Sequence, residues 1–87
     1  KCLELDSNFV DCYVTRGTLA FSRSDTDRSI ADFTRAIQLQ PGGNVAYKNR
    51  GQVYVQRNQM KEACADFLKA AEMGNSDAFQ LQQIYCK

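Results

Sequence analysis

Histidine and tryptophan are absent from this chain of 87 residues, proline occurs once, and long apolar runs are missing. Without histidine, the sequence lacks the residue that most often serves as a general base and as a metal ligand. Apolar residues follow one another for at most three positions, far short of the roughly 18 that a membrane-spanning helix needs. The sequence therefore predicts no enzymatic site built on histidine, no bound metal and no membrane span.

Charge of one sign is also scarce. Eleven basic residues are balanced by ten acidic residues, which leaves a net charge of +1. Acidic side chains are interspersed among the arginines, so no strong positive field should form, and we expect neither nucleic acid nor an anionic membrane as partner. The apolar fraction of 44% is ordinary for a globular protein and excludes a disordered chain.

Four cysteines are present, and their spacing bears on metal binding and on redox state. Cys2, Cys12, Cys64 and Cys86 are separated by 10, 52 and 22 residues. Structural zinc sites take their thiolates in close pairs, roughly two to four residues apart, which this spacing does not offer. We expect each cysteine to be a free, semi-buried residue on a helix, with a disulfide as the alternative. Free thiols fit a reducing compartment, so the expected location is the cytoplasm.

The main signal is an internal repeat, because a shift of 34 residues places the chain on itself with matching residues. The first five residues, 1–5, also match the ends of both units, at 35–39 and 69–73. We therefore expect the chain to open inside a helix and to be the C-terminal part of a longer protein. The matching pairs are Tyr13 and Tyr47, Arg16 and Arg50, Gly17 and Gly51, Arg23 and Arg57, Asp32 and Asp66, Phe33 and Phe67, and Ala36 and Ala70.

Each unit has room for two helices joined by short turns. Apolar residues three and four apart predict helices over about 8–22 and 26–39 in the first unit and 44–56 and 60–73 in the second. Pro41 and the glycines after it separate the units. A glycine inside a helix costs up to about 1 kcal/mol, so Gly17 and Gly51 require a packing reason. We expect them, with the alanines at nearby helix positions, to let helix backbones approach closely, while the large side chains fill the neighbouring space. These large residues are Tyr13, Phe33, Tyr47 and Phe67.

A 34-residue helix–turn–helix unit with Tyr-x-x-Arg-Gly, then Ala-x-Asp-Phe-x-x-Ala and a closing proline resembles the tetratricopeptide repeat. The resemblance implies an all-α fold, a right-handed superhelical stack of antiparallel helix pairs with a C-terminal capping helix. It assigns 1–9 to the end of a preceding repeat's second helix, 10–43 and 44–77 to two repeats, and 78–87 to the capping helix. All of these segments would form one domain.

The resemblance also implies a function. In the family, the first helix of each pair lines a concave groove that receives a peptide or a helix from a partner protein. The chain is thus expected to be a protein–protein interaction module, non-catalytic and without cofactor. The groove residues carried over are Asp11, Val14, Thr15, Thr18, Phe21 and Ser22 in the first repeat, Val45, Lys48, Asn49, Gln52, Val55 and Gln56 in the second, and Phe79 in the cap.

One specialised groove can be compared directly with this sequence. Repeats that clamp the C-terminal carboxylate of chaperones use a lysine three residues before the first-helix glycine and an asparagine one residue after it. Val14 and Thr18 stand at these places around Gly17, and only Asn49, two residues before Gly51, fits the pattern. The chaperone clamp is therefore not expected.

A structural role is the alternative to groove binding. The segment would then be the end-cap of a longer solenoid or a self-association module, with no specific ligand in the groove. This alternative depends on an apolar edge near the N-terminus, which we expect to be exposed and to favour homo-oligomers. The edge would consist of Leu3, Leu5, Phe9 and Tyr13.

Overall fold

The computed structural model describes residues 9–40 and 43–86. These residues form five α-helices and no strand, which confirms the predicted all-α class for this part of the chain. Each helix packs against the next one, and α1 also contacts α3. The described helices are too short and too polar for any of them to cross a bilayer. They are α1 (Phe9–Ser22), α2 (Thr26–Leu39), α3 (Asn44–Gln56), α4 (Met60–Glu72) and α5 (Ser76–Tyr85).

Three helices end in the same way, which gives the chain its sharp reversals. After α1, α3 and α4, one residue adopts a left-handed conformation, and the next N–H donates to a carbonyl five residues earlier. This is the hydrogen bond of the Schellman motif, and it satisfies a carbonyl that the helix end leaves free. A left-handed backbone costs free energy in a residue that has a side chain, so these turns reverse the chain at some cost in stability. The left-handed residues are Ser24 (φ 63°), Asn58 (φ 64°) and Gly74 (φ 96°).

The two helical glycines have the predicted packing reason. A Cβ atom added at Gly17 would lie 2.7 Å from Cε1 of Phe33, and one added at Gly51 would lie 2.6 Å from Cε1 of Phe67. Both phenylalanines are buried, with 1% and 0% of their surface exposed. The missing side chain therefore lets each ring lie flat against the facing helix, and this contact joins the two helices of each repeat.

Helix α5 starts out of step with the repeat. It begins at Ser76, two residues before the predicted start of the cap, because α4 is one residue shorter than α2 and the turn after it is one residue shorter than the turn after α2. Asn75 caps it, since the side-chain oxygen accepts a hydrogen bond from the N–H of Ala78 at 2.9 Å. The Asn75 amide also donates to Oδ1 of Asn44 at 2.9 Å, which ties the start of α5 to the start of α3.

The expectation of free cysteines is wrong for the described residues. Cys64 and Cys86 form a disulfide, and none of the cysteines in this part of the chain is free. The antiparallel packing of α4 and α5 brings their Cα atoms to 5.6 Å, within the usual disulfide range, although 22 residues separate them in sequence. The cysteines therefore carry no argument for a reducing compartment. Cys2 lies outside the described residues.

Most of the predicted N-terminal edge also lies outside the described part of the chain. Leu3, Leu5 and the side chain of Phe9 are not among the described groups. Of the predicted end of a preceding helix over 1–9, residues 1–8 lie outside the described part of the chain, and Phe9 begins α1. Tyr13 is half-buried, with the guanidinium groups of Arg16 and Arg35 at 5.4 and 5.6 Å from its ring centre. Its exposure is therefore lower than the edge prediction requires.

Candidate functional site

The first helix of each repeat and α5 form one surface, here called the groove surface, that contains three cavities. The cavity at the C-terminal ends of these helices has a volume of about 300 Å³. It combines apolar walls with two side-chain amides, which suits a peptide with an apolar side chain. Four of its lining residues were predicted and two were not. The lining residues are Phe21, Gln52, Val55 and Gln56, which were predicted, and Leu81 and Tyr85 of α5.

A second cavity of about 300 Å³ lies at the N-terminal ends of α1 and α3. Three predicted residues line it, Asp11 and Val14 from α1 and Val45 from α3. Its remaining lining is Val10, Ala36, Gln40, Gly43, Asn44 and Ala46. No lysine or arginine belongs to this lining, so the cavity offers no cation to a carboxylate.

The third cavity, of about 250 Å³, lies between α3 and α5 and continues the first one through two shared residues, Gln52 and Leu81. Predicted Lys48 lines it, and its Nζ atom is 3.7 Å from a carboxylate oxygen of Asp77. Lys48 is 21% exposed, so it joins α3 to α5 instead of standing free as a cation for ligands. The other lining residues are Gln80 and Ile84.

Five predicted groove residues do not line these cavities. Two of them have local partners, because the hydroxyl of Thr18 donates to the carbonyl of Val14 at 2.9 Å and that of Ser22 to the carbonyl of Leu19 at 2.8 Å. Such bonds to the preceding helical turn are common for these residue types. The remaining three are Thr15, which is exposed, Asn49, which is half-buried, and Phe79, which is 55% exposed.

The residues that α5 contributes differ from the predicted ones because of its early start. Carrying the groove pattern over by 34 residues selects Phe79, whereas the cavities are lined by five other positions of α5. Four of them lie 32 residues after Val45, Lys48, Asn49 and Gln52, and the difference of two residues corresponds to a rotation of about 200° around a helix axis. One residue of this difference comes from the shorter α4 and one from the shorter turn before α5. The five positions are Asp77, Gln80, Leu81, Ile84 and Tyr85.

The recurring arginines and aspartates form ion pairs within each repeat. Arg50 donates from Nε and Nη2 to both carboxylate oxygens of Asp66, at 2.8 and 2.9 Å, and from Nη1 to Oγ1 of Thr34 at 3.1 Å. The hydrogen bond with Asp66 raises the pKa of Arg50, against the opposing effect of burial. Arg16 makes a single contact of 3.1 Å with Asp32. These pairs connect the two helices of each repeat and line none of the three cavities of the groove surface. Arg16 lines a further cavity, on α1 and α2.

No group of three or more cysteine, aspartate or glutamate side chains among the described residues is arranged to hold a metal ion. The carboxylates that recur, Asp32 and Asp66, are buried and paired with arginines.

Comparison with known proteins identifies the family of the chain. The sequence profile described as "Tetratricopeptide repeat" matches residues 46–76. The human protein "Mitochondrial import receptor subunit TOM70" is 31% identical over 86 residues, which are 98% of this chain and 14% of that protein. The Arabidopsis thaliana protein "Hsp70-Hsp90 organizing protein 3" is 36% identical over 52 residues, 60% of this chain and 9% of that protein. This chain thus spans a small part of both relatives, and it belongs to the tetratricopeptide-repeat family.

Proposed function

We propose that the chain is a non-catalytic interaction module that binds a peptide or helix of a partner protein along the groove surface. The observation that supports this most is the C-terminal cavity, where predicted Phe21 and Val55 meet Leu81 and Tyr85 of α5. Three helices that are distant in sequence contribute to it, so its shape depends on the folded stack. The relatives support the same class of function, since one is named a receptor subunit and the other an organizing protein.

The cavity chemistry indicates what the partner presents. Phe21, Val55 and Leu81 are half-buried and offer apolar contact to one side chain of an extended or helical peptide. Gln52 and Gln56 each carry a donor and an acceptor, which suit the backbone amides that flank such a side chain. A surface of this size should bind with an affinity of roughly micromolar strength.

A peptide selection tests the proposal on the full chain. A random peptide library displayed on phage is selected against the wild-type protein, and the enriched peptide is titrated by isothermal calorimetry. Val55→Glu should lower the affinity by about tenfold or more, because it places a charge in the apolar wall. Leu68→Glu is the matched control, since Leu68 is 45% exposed on α4 and lines none of the three cavities.

The result that contradicts the proposal is equally specific. Equal affinities for wild type and Val55→Glu, with circular dichroism showing that both are folded, would place the binding elsewhere. Failure to enrich any peptide would remove the groove function altogether. A loss with Leu68→Glu that matches the loss with Val55→Glu would indicate a general effect of added charge.

A structural role is the second candidate, and one observation favours it. Leu19 of α1 is 52% exposed, whereas Val53, its counterpart in the second repeat, is fully buried. Under this alternative, the outer face of α1 packs on a second copy of the chain, and the groove has no specific ligand. Sedimentation velocity at increasing concentration should then show a dimer that Leu19→Glu abolishes. A monomer at all concentrations would contradict self-association.

A further inference from the structure

The two ends of α5 are held in different ways. At its beginning, Ala78 is fully buried, Asn75 bonds to Asn44, and Asp77 pairs with Lys48. All ten residues of α5 are described, and Ala78 is the one that is buried. A helix of this length is not stable by itself in water, so its position depends on these attachments.

The end of α5 has less support. Ile84 and Tyr85 are 61% and 40% exposed, and the ring of Tyr85 stacks on Phe67 with 6.1 Å between ring centres. The covalent link at this end is the disulfide between Cys86, which follows α5, and Cys64 in α4. The disulfide is thus the main restraint on the last turns of the helix.

These last turns also form one wall of the groove surface. Leu81 and Tyr85 line the C-terminal cavity, and Leu81 and Ile84 line the cavity beside it. Tyr85 directly precedes Cys86, so the restraint acts next to the cavity wall. Movement of this end of α5 would open both cavities on one side.

We infer that the Cys64–Cys86 disulfide is a redox switch for peptide binding, an inference that rests on the function proposed above for the groove. In the oxidised chain, the disulfide holds the end of α5 on α4, and this keeps the wall formed by Leu81 and Tyr85 beside α3. In the reduced chain, the end of α5 frays, the wall is lost, and the affinity for a groove peptide falls. The switch acts on one wall and leaves the two repeats folded.

The reductant belongs to the class of dithiols. One thiolate of the dithiol attacks a sulfur of the disulfide and gives a mixed disulfide, and the second thiolate then releases the protein and closes a disulfide in the reductant. Two electrons pass to the protein, and two protons from the solvent complete the thiols of Cys64 and Cys86. Both cysteines are half-buried, so a small dithiol reaches them without unfolding of the repeats.

Amide hydrogen exchange tests the mechanical part without any ligand. The oxidised chain is compared with a chain reduced by dithiothreitol and with the double variant Cys64→Ser/Cys86→Ser. Exchange over residues 80–86 should accelerate about tenfold or more in both comparisons, while α3 should keep its protection. Unchanged exchange over 80–86 would overturn the switch, whatever the groove binds.

Peptide affinity tests the functional part, with the peptide enriched against the oxidised wild-type chain. Reduction of the wild type and the double serine substitution should each weaken binding by about tenfold. Adding dithiothreitol to the double variant should cause no further change, and this control removes effects of the reductant at Cys12. Equal affinity in the oxidised and reduced chains would overturn the switch and leave the groove function standing. Absence of any binding peptide would overturn both proposals.

Discussion

The two repeats carry matching residues at matching positions, yet their outer faces have different surroundings. Arg50 and Val53 lie on one face of α3, and Arg57, which directly follows α3, continues that face four residues after Val53. Both arginines bond to residues of α2. Val53, between them, is fully buried, whereas Leu19 at the same place in α1 is 52% exposed. The repeat motif thus fixes the packing within a unit, and the neighbouring helix decides whether the outer face is buried.

The arginine–aspartate pairs show the same difference. Arg50 is 19% exposed and holds both oxygens of Asp66, with Thr34 of α2 accepting a third hydrogen bond. Arg16 is 47% exposed and contacts one oxygen of Asp32, while the other oxygen has no hydrogen-bond partner within the described residues. The preceding helix therefore improves a pair that each repeat builds from its own residues.

Removing the carboxylates should give the largest difference in stability between the two repeats. Asp66→Ala leaves the guanidinium of Arg50 partly buried and without its partner, and we expect a loss of about 3–5 kcal/mol in the free energy of unfolding. Asp32→Ala frees an arginine that water reaches, so the expected loss is about 1 kcal/mol. Urea denaturation followed by circular dichroism measures both. Equal losses would contradict a role of α2 in the second pair.

Reduction of the disulfide tests how far the cap supports the second repeat. The Cys64–Cys86 bond closes a loop with a sequence separation of 22 residues, so its loss should cost about 3 kcal/mol in the chain-entropy description. Cys64→Ser/Cys86→Ser isolates this effect from any other thiol. Without reductant, the denaturation midpoint of the variant should lie below that of the oxidised wild type. A midpoint equal to that of the oxidised wild type would show that the cap is held by packing alone.

Truncation of the outer-face residues should give a smaller difference in stability between the two repeats. Val53→Ala creates a cavity between α2 and α3 and should cost about 2 kcal/mol. Leu19→Ala removes a side chain that is half in water, so the expected change is about 0.5 kcal/mol or less. Thermal unfolding of the two variants gives the difference. A large loss with Leu19→Ala would mean that this face is covered in solution.

The smallest expected difference in stability between two matched variants concerns the helix caps. Asn75 caps α5 and also bonds to Asn44, so Asn75→Ala should cost about 1 kcal/mol. Asp25 caps α2 through a longer bond of 3.3 Å to the N–H of Arg28 at an exposed site, and Asp25→Ala should cost less. Chemical denaturation of both variants checks the order. The reverse order would show that α5 contributes little to the stability of the stack.

The sequence predicted the features that repeat and missed those that do not. The helices of both units follow from the 34-residue pattern because each unit is built from local contacts. The register of α5 depends on a helix and a turn that are each one residue shorter than their counterparts, which periodicity does not reveal. The partner of Cys64 depends on the antiparallel packing of two helices, which spacing along the chain does not reveal either.

On the groove surface, the residues of α3 and the residues of α5 differ in the same way. Gln52, Val55 and Gln56 of α3 were carried over from the family resemblance, and they line the C-terminal cavity. Leu81 and Tyr85 were not predicted, because their place on that surface is set by where α5 begins. The pattern carried across the turn before α5 gives Phe79 instead, which lines none of the three cavities.

The central claim is that a partner peptide lies on the groove surface formed by α1, α3 and α5. Its most direct test is the mapping of backbone amide chemical shifts of the oxidised chain during titration with the selected peptide. We expect the largest chemical-shift changes at Phe21, Val55 and Leu81, with small changes over α2 and at Leu68 of α4. Shifts concentrated on α2 and α4, with the groove surface unchanged, would contradict it.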